Sequence, residues 1–203
     1  MALTAAVGLA ACNKPASSGG GSAPAAGAAL SNDGYVMGNP SAKVTVMEFG
    51  SVTCPHCAHW EETVWPAFKA KYIDTGKVRY VFQEVLIHPP EDAAASVLLR
   101  CLPADKYLQN VQAIFRAQPQ MFTPPGDVRG ALLRVAQSEG MSEQQFTTCL
   151  SDSNALQAVG ARQTKIDEVY HVQQTPTFFI NGKPSEAVEM EQLSAAIDPL
   201  LAK

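Results

Sequence analysis

Cys54-Pro55-His56-Cys57 is a C-x-x-C that follows an apolar run, Val44-Thr45-Val46-Met47-Glu48-Phe49, and heads a segment of helical periodicity. A thiolate is the nucleophile of disulfide exchange, and it is stabilised where unsatisfied backbone N–H groups and the positive end of a helix dipole point at the sulfur. Cys54 stands at such a helix start. Cys57, one turn later, can attack a mixed disulfide formed at Cys54 and release the partner, so Cys54 reads as the attacking sulfur and Cys57 as the resolving one. His56 can donate a hydrogen bond or carry charge near Cys54 and depress its pKa. Pro55 suits the first helical turn, where its missing N–H is not needed. Both favour a stable dithiol, hence an oxidising disulfide and a donor of disulfides more than a reductant.

Other uses of a C-x-x-C fit less well. A structural zinc site wants a second Cys or His pair at matching spacing, and the nearest candidate, His59, lies on the same helix. Attachment of haem needs His directly after the second Cys, where this chain has Ala58. No metal and no organic cofactor is expected. With 203 residues, 46% of them hydrophobic, the chain can build one domain with a substantial core. A net charge of −4 with scattered Lys and Arg excludes a basic patch, so nucleic acid is not an expected partner.

The five cysteines are Cys12, Cys54, Cys57, Cys101 and Cys149. Cys12 ends the sequence Leu9-Ala10-Ala11-Cys12 behind a short apolar stretch that is far too short to span a bilayer. Cys101 and Cys149 each fall at an apolar position of an expected helix. In an oxidising compartment they are expected to pair, which leaves the C-x-x-C and Cys12 with separate roles; two buried free thiols are the alternative.

Residues 13–33 are Gly, Ser, Pro and Ala with almost no large apolar side chain, and read as a flexible linker with an end-to-end distance of roughly 25 Å. Residues 44–49 read as a central strand. Trp60, Val64, Ala67 and Phe68 continue a helix that Pro66 should kink; Gly76 stops it, and Val78-Arg79-Tyr80-Val81-Phe82 forms a second strand parallel to the first. From Pro89 to about His171 the pattern is helical: one helix begins at Pro90, Asp105 caps another, Val128, Leu132 and Val135 mark a third, Ser142 with Gln145 makes a capping box, and the last covers residues 154–170. Thr177-Phe178-Phe179-Ile180, Asn181-Gly182 and Lys183-Pro184 then read as a hairpin with an edge strand, before a final helix with Met190, Leu193, Ile197 and Leu200.

Glu48-Phe49 with Cys54-Pro55-His56-Cys57, followed much later by Thr175-Pro176-Thr177-Phe178-Phe179-Ile180-Asn181-Gly182, resembles the DsbA family of thiol oxidoreductases over about residues 35–203. The resemblance implies an α/β, thioredoxin-like fold with an inserted all-helical subdomain: residues 34–88 and 172–203 as the thioredoxin-like domain, and 89–171 as the insertion. It implies that Pro176 is a cis-proline facing the active-site disulfide, with the backbone of Thr175 exposed to pair with an extended substrate. It also matches Glu48 to the family's buried acid below the disulfide, where desolvation should raise its pKa and let it exchange a proton with Cys57. Read from the residues alone, Thr175-Pro176 could be a trans turn and Glu48 could reach water at a strand edge. The Leu-Ala-Ala-Cys box resembles the end of a bacterial lipoprotein signal peptide, with residues 1–11 as its remnant and residues 12–33 as a linker acylated at Cys12. No Lys or Arg precedes the apolar stretch, as export normally requires.

The expected protein is a monomeric oxidase, anchored by lipid on the periplasmic side of a membrane. It would donate the Cys54–Cys57 disulfide to exported, reduced or unfolded proteins and be reoxidised by a quinone-linked membrane protein of the DsbB type. An isomerase or reductase is the alternative, since Thr before the cis-proline also resembles the isomerase branch. A different class is a non-catalytic module that binds Cu(I) through its thiolates or holds unfolded chains. His59 could contact substrate or be a solvated helix position, no role is assigned to His88 or His171, and Trp60 and Trp65 read as core or surface hydrophobes more than as a binding platform.

Overall fold

The computed structural model describes residues 29–31 and 34–202. The leader, the acylation expected at Cys12 and most of the linker lie outside the described residues. Strands β1 (Ala29–Ser31), β2 (Gly34–Gly38), β3 (Val44–Gly50), β4 (Val78–Glu84), β5 (Thr177–Ile180) and β6 (Lys183–Ser185) form a six-stranded sheet in the order β1-β2-β4-β3-β5-β6. β3 pairs parallel with β4, Val46 opposite Tyr80, and antiparallel with β5, Glu48 opposite Phe178. The antiparallel pair β1–β2 extends the sheet beyond β4, so Ala29–Ser31 belong to it although the sequence reads them as linker. Strands this short, bounded by Gly34 and Gly38, show no run of alternation to separate them from the low-complexity tract before them.

Helix α1 (Pro55–Thr63) connects β3 to β4. Pro66 does more than kink it: lacking an N–H, it interrupts the ladder, and the chain restarts as α2 (Trp65–Phe68) and a π-helical stretch, Lys69–Ile73, before β4. Trp60, Trp65 and Phe68 are buried with Tyr80 and Phe178 in one aromatic cluster, with Trp60 5.0 Å from Phe178 and Trp65 4.8 Å from Tyr80. The Trp60 indole N–H donates to the carbonyl of Val188, 2.8 Å away. This cluster covers one face of the sheet; Phe49, Phe179 and Tyr170 pack on the other.

Between β4 and β5 run α3 (Pro89–Cys101), α4 (Tyr107–Phe122), α5 (Val128–Ser138), α6 (Glu143–Leu150) and α7 (Ser153–Tyr170); α8 (Met190–Leu201) follows the hairpin. Ser142 and Gln145 form the reciprocal capping box of α6. Asp105 caps nothing: it lies in a 3-10 turn, Ala104–Lys106, and α4 begins at Tyr107 with Lys106 as its N-cap. The turn Asn181-Gly182 has positive φ at both residues, 49° and 75°, as a two-residue hairpin requires. Two ties hold α3 in place. Arg100 of α3 makes a bidentate ion pair with the buried Glu84 at the end of β4, 2.6 Å for Nη2 to Oε2. Cys101, the last residue of α3, is joined to Cys149 of α6 by a disulfide.

That bridge closes a loop with a sequence separation of 48 residues. Replacing both cysteines by Ser should lower the unfolding free energy by about 4 kcal/mol, read as a fall in the urea midpoint of the variant against the native chain.

Candidate functional site

The parallel pairing of β3 and β4 fixes where the chemistry sits, because the chain leaving the carboxyl end of β3 must turn into α1. Cys54 is the N-cap of that helix in extended conformation, Pro55 opens its first turn, and Cys57 lies one turn in. Both thiols are free and buried, with exposures of 4% for Cys54 and 1% for Cys57.

The two sulfurs have opposite surroundings. Cys54 is pulled down to about 4, chiefly by the Cys57 thiol that hydrogen-bonds to it, then by Thr175 and by the backbone N–H groups of Cys57 and His56, against the opposing effect of burial. The imidazole of His56 is exposed, and the backbone N–H of the same residue is among the groups that lower Cys54. Cys57 is pushed strongly upward, first by burial, then by the Cys54 sulfur and the charge of Glu48. One helical turn thus separates a stabilised thiolate from a thiol that holds its proton.

Glu48 is 2% exposed and sits on the β3 face that looks toward α1. The Tyr80 hydroxyl donates to its Oε2 at 2.7 Å, and burial raises its pKa to about 8. Gly50 is required beside it, because a Cβ there would lie 2.7 Å from the Phe82 ring and 3.2 Å from Glu48 Oε1. An acid with this pKa, close enough to raise the Cys57 thiol, can take the proton of Cys57 when that thiol attacks and return it when Cys57 leaves.

The peptide bond between Thr175 and Pro176 is cis, and it brings the Thr175 carbonyl to 3.6 Å from Cys54 Sγ. The buried Thr175 hydroxyl has no hydrogen-bond partner among the described residues. It acts to lower Cys54, and at Cys57 it opposes the larger upward shift, which makes it a donor available to the Cys54 sulfur when that sulfur is charged. Cys101 and Cys149 lie apart from this site on α3 and α6.

Three groups belong to the site that the sequence does not single out. Gln118 of α4 donates from Nε2 to the carbonyls of Val52, 3.0 Å away, and Cys54, 3.1 Å away, and so holds the loop before α1 from the insertion. Asp92, at the start of α3, is 1% exposed and accepts from the hydroxyls of Ser51 and Thr53 and from the main-chain N–H groups of Ile87 and His88. Because the Thr53 hydroxyl donates to Asp92, the His88 ring Nδ1, 2.9 Å from that hydroxyl, is the donor between them. Glu61 of α1 is pushed by burial to about 7 while Gln112 and Arg116 act to lower it. A polar residue on a helix face gives no sequence signal of the loop it will meet.

A thioredoxin family model matches residues 30–199. The chain belongs to the thioredoxin family. Its fold is that of the DsbA branch, with the helical insertion between β4 and β5: it superposes on Wolbachia pipientis alpha-DsbA1 with a TM-score of 0.73 at 24% identity, covering 82% of this chain and 90% of that one. BdbD from Bacillus subtilis gives a TM-score of 0.74 at 23% identity over 89% of this chain and all of that one. A Rickettsia bellii protein provisionally named a protein-disulfide oxidoreductase is 33% identical over 169 residues, which is 83% of this chain and 65% of that protein. The thioredoxin-family chain therefore spans somewhat less than two thirds of that relative's length.

The opposed pKa shifts set the pH behaviour. Cys54 is held below the roughly 8.5 of an exposed thiol, so its contribution to the stability of the dithiol form is complete above that value and is lost as pH falls through about 4. Glu48 is held above the roughly 4.3 of an exposed Glu, so its contribution is complete below that value and is lost as pH rises through about 8. Thiolate absorbance of the reduced chain should titrate with a midpoint near 4, and Cys54→Ala should remove that transition. In native protein the rate of mixed-disulfide resolution should rise through pH 8; Glu48→Gln should abolish that step and slow resolution on the order of a hundred-fold, measured by stopped-flow with a glutathione mixed disulfide.

Proposed function

We propose that the chain is a thiol:disulfide oxidoreductase that works as an oxidase, donating the Cys54–Cys57 disulfide to exported proteins. The observation that carries this reading is the contrast between the two sulfurs: Cys54 at about 4 and Cys57 shifted upward. A thiolate that is stable at neutral pH stabilises the dithiol, and a stabilised dithiol makes the corresponding disulfide a strong oxidant. Substrate thiolate attacks Cys54 Sγ, the Cys54–Cys57 bond breaks, and Cys57 leaves as a thiolate that takes a proton from Glu48. A second substrate thiolate then attacks the substrate sulfur of the mixed disulfide, and Cys54 departs as the stabilised thiolate. The cis-proline loop supplies the Thr175 main chain for an extended substrate segment beside the reacting sulfur.

The same reading places the protein in the periplasm, held to a membrane by acylated Cys12, and assigns its reoxidation to a quinone-linked membrane partner of the DsbB type. Its support is the Leu-Ala-Ala-Cys sequence and the small-residue tract behind it. Among the described residues no helix is long and apolar enough to cross a membrane.

Thiol-trapped equilibration of the chain against graded glutathione tests the central claim. The transition should lie at strongly oxidising poise and survive replacement of Cys101 and Cys149 by Ser, which assigns it to Cys54 and Cys57. A transition at reducing poise would replace the oxidase with a reductase or isomerase, and the absence of any transition would remove the catalytic claim.

A further inference from the structure

Beside the active site lies a groove of about 930 Å³ that the chemistry above does not use. It begins at Thr53 and Pro55, the residues on either side of Cys54, and runs between α1 and the carboxyl-terminal half of α4. Its apolar lining comes from Ala58 of α1 and from Phe115, Pro119 and Phe122 of α4. Phe122 is 43% exposed, one of only four large hydrophobic side chains so exposed among the described residues, and a second, Ile87, adjoins His88 at the groove's end.

The rim is charged. Glu62 of α1 and Glu91 of α3 line it, and neither makes an ion pair among the described residues. Arg116 is the one cation of the lining whose charge is permanent, and it also faces Glu61. Two unpaired carboxylates over an apolar floor complement a cation carried next to a bulky apolar group. A volume of this size holds more than one side chain. Thr175 supplies main chain beside the Cys54 sulfur and the groove begins at the two residues that flank Cys54, so a substrate segment held at Thr175 reacts next to the groove.

We propose that this groove is a substrate subsite that takes a bulky apolar side chain flanked by a basic residue, both next to the reacting cysteine of the protein being oxidised. The proposal rests on the oxidase reading given above. The insertion, which carries α3 and α4, then selects which cysteines are oxidised, while the thioredoxin-like part performs the exchange.

Two peptides with a cysteine pair, carrying Phe-Lys beside one cysteine in the first and Ser-Glu in the second, test the subsite. Their second-order rates of oxidation by the Cys54–Cys57 disulfide are compared, each divided by the rate with dithiothreitol, which has nothing to place in the groove. The Phe-Lys peptide should be favoured on the order of ten-fold. Phe122→Ala should bring the ratio of the two peptides toward one, and Glu91→Lys should shift preference from a Phe-Lys to a Phe-Glu peptide. Leu156→Ala, an exposed position on α7 outside the groove, should leave the ratio where it was. A ratio near one in the native chain, or a ratio that Phe122→Ala and Glu91→Lys do not move, overturns the subsite. So does a finding that these two variants change only self-association by sedimentation, which would make the groove a contact between copies. Failure to oxidise dithiothreitol at all would overturn the oxidase reading and the subsite with it, and is distinguished from the other outcomes by being read first.

Discussion

The unequal solvation of two sulfurs one helical turn apart is the constraint around which the molecule is arranged. Cys54 meets N–H groups at the open end of α1, where no intrahelical acceptor competes for them. Cys57 faces inward to the core and to Glu48. The difference depends on α1 starting where it does, and that start is held from three directions. The parallel strands β3 and β4 deliver the chain to it, Pro55 sets its first turn, and Gln118 and Asp92 of the insertion bind the loop ahead of it.

Glu48 shows how the sheet takes part in the same arrangement. A carboxyl group in the middle of a strand is costly to bury, and here the cost is limited by keeping it protonated near neutral pH and by the hydrogen bond from Tyr80. The aromatic cluster of Trp60, Trp65, Phe68, Tyr80 and Phe178 surrounds this group with low-dielectric material, which strengthens each electrostatic interaction within it.

Much of this was legible in the residues. The strand, helix and strand from Val44 to Glu84, the capping box at Ser142 and the hairpin at Asn181-Gly182 all follow local rules that tertiary contacts do not override. β1 and β2 were not legible, because β2 is held by pairing with β4 and β1 by pairing with β2, and neither has a pattern of its own. Asp105 looked like a helix cap and is not one, since the chain after Pro103 tightens into a 3-10 turn first. Asp92 and Gln118 were hidden for a different reason. Each looks like an ordinary polar residue of its helix, and only the approach of α3 and α4 to the loop before Cys54 gives it partners.

Gln118 grips that loop through the carbonyls of Val52 and Cys54, groups that every amino acid presents alike. The side chains of Pro55 and His56, by contrast, are exposed, and none of the hydrogen bonds that seat the loop comes from them. Anchorage and tuning are therefore carried by separate parts of the same short segment. The two exposed side chains between the cysteines can therefore differ while the loop keeps its seat, because the scaffold grips this segment by its main chain and leaves its outward face to whatever molecule approaches the sulfur.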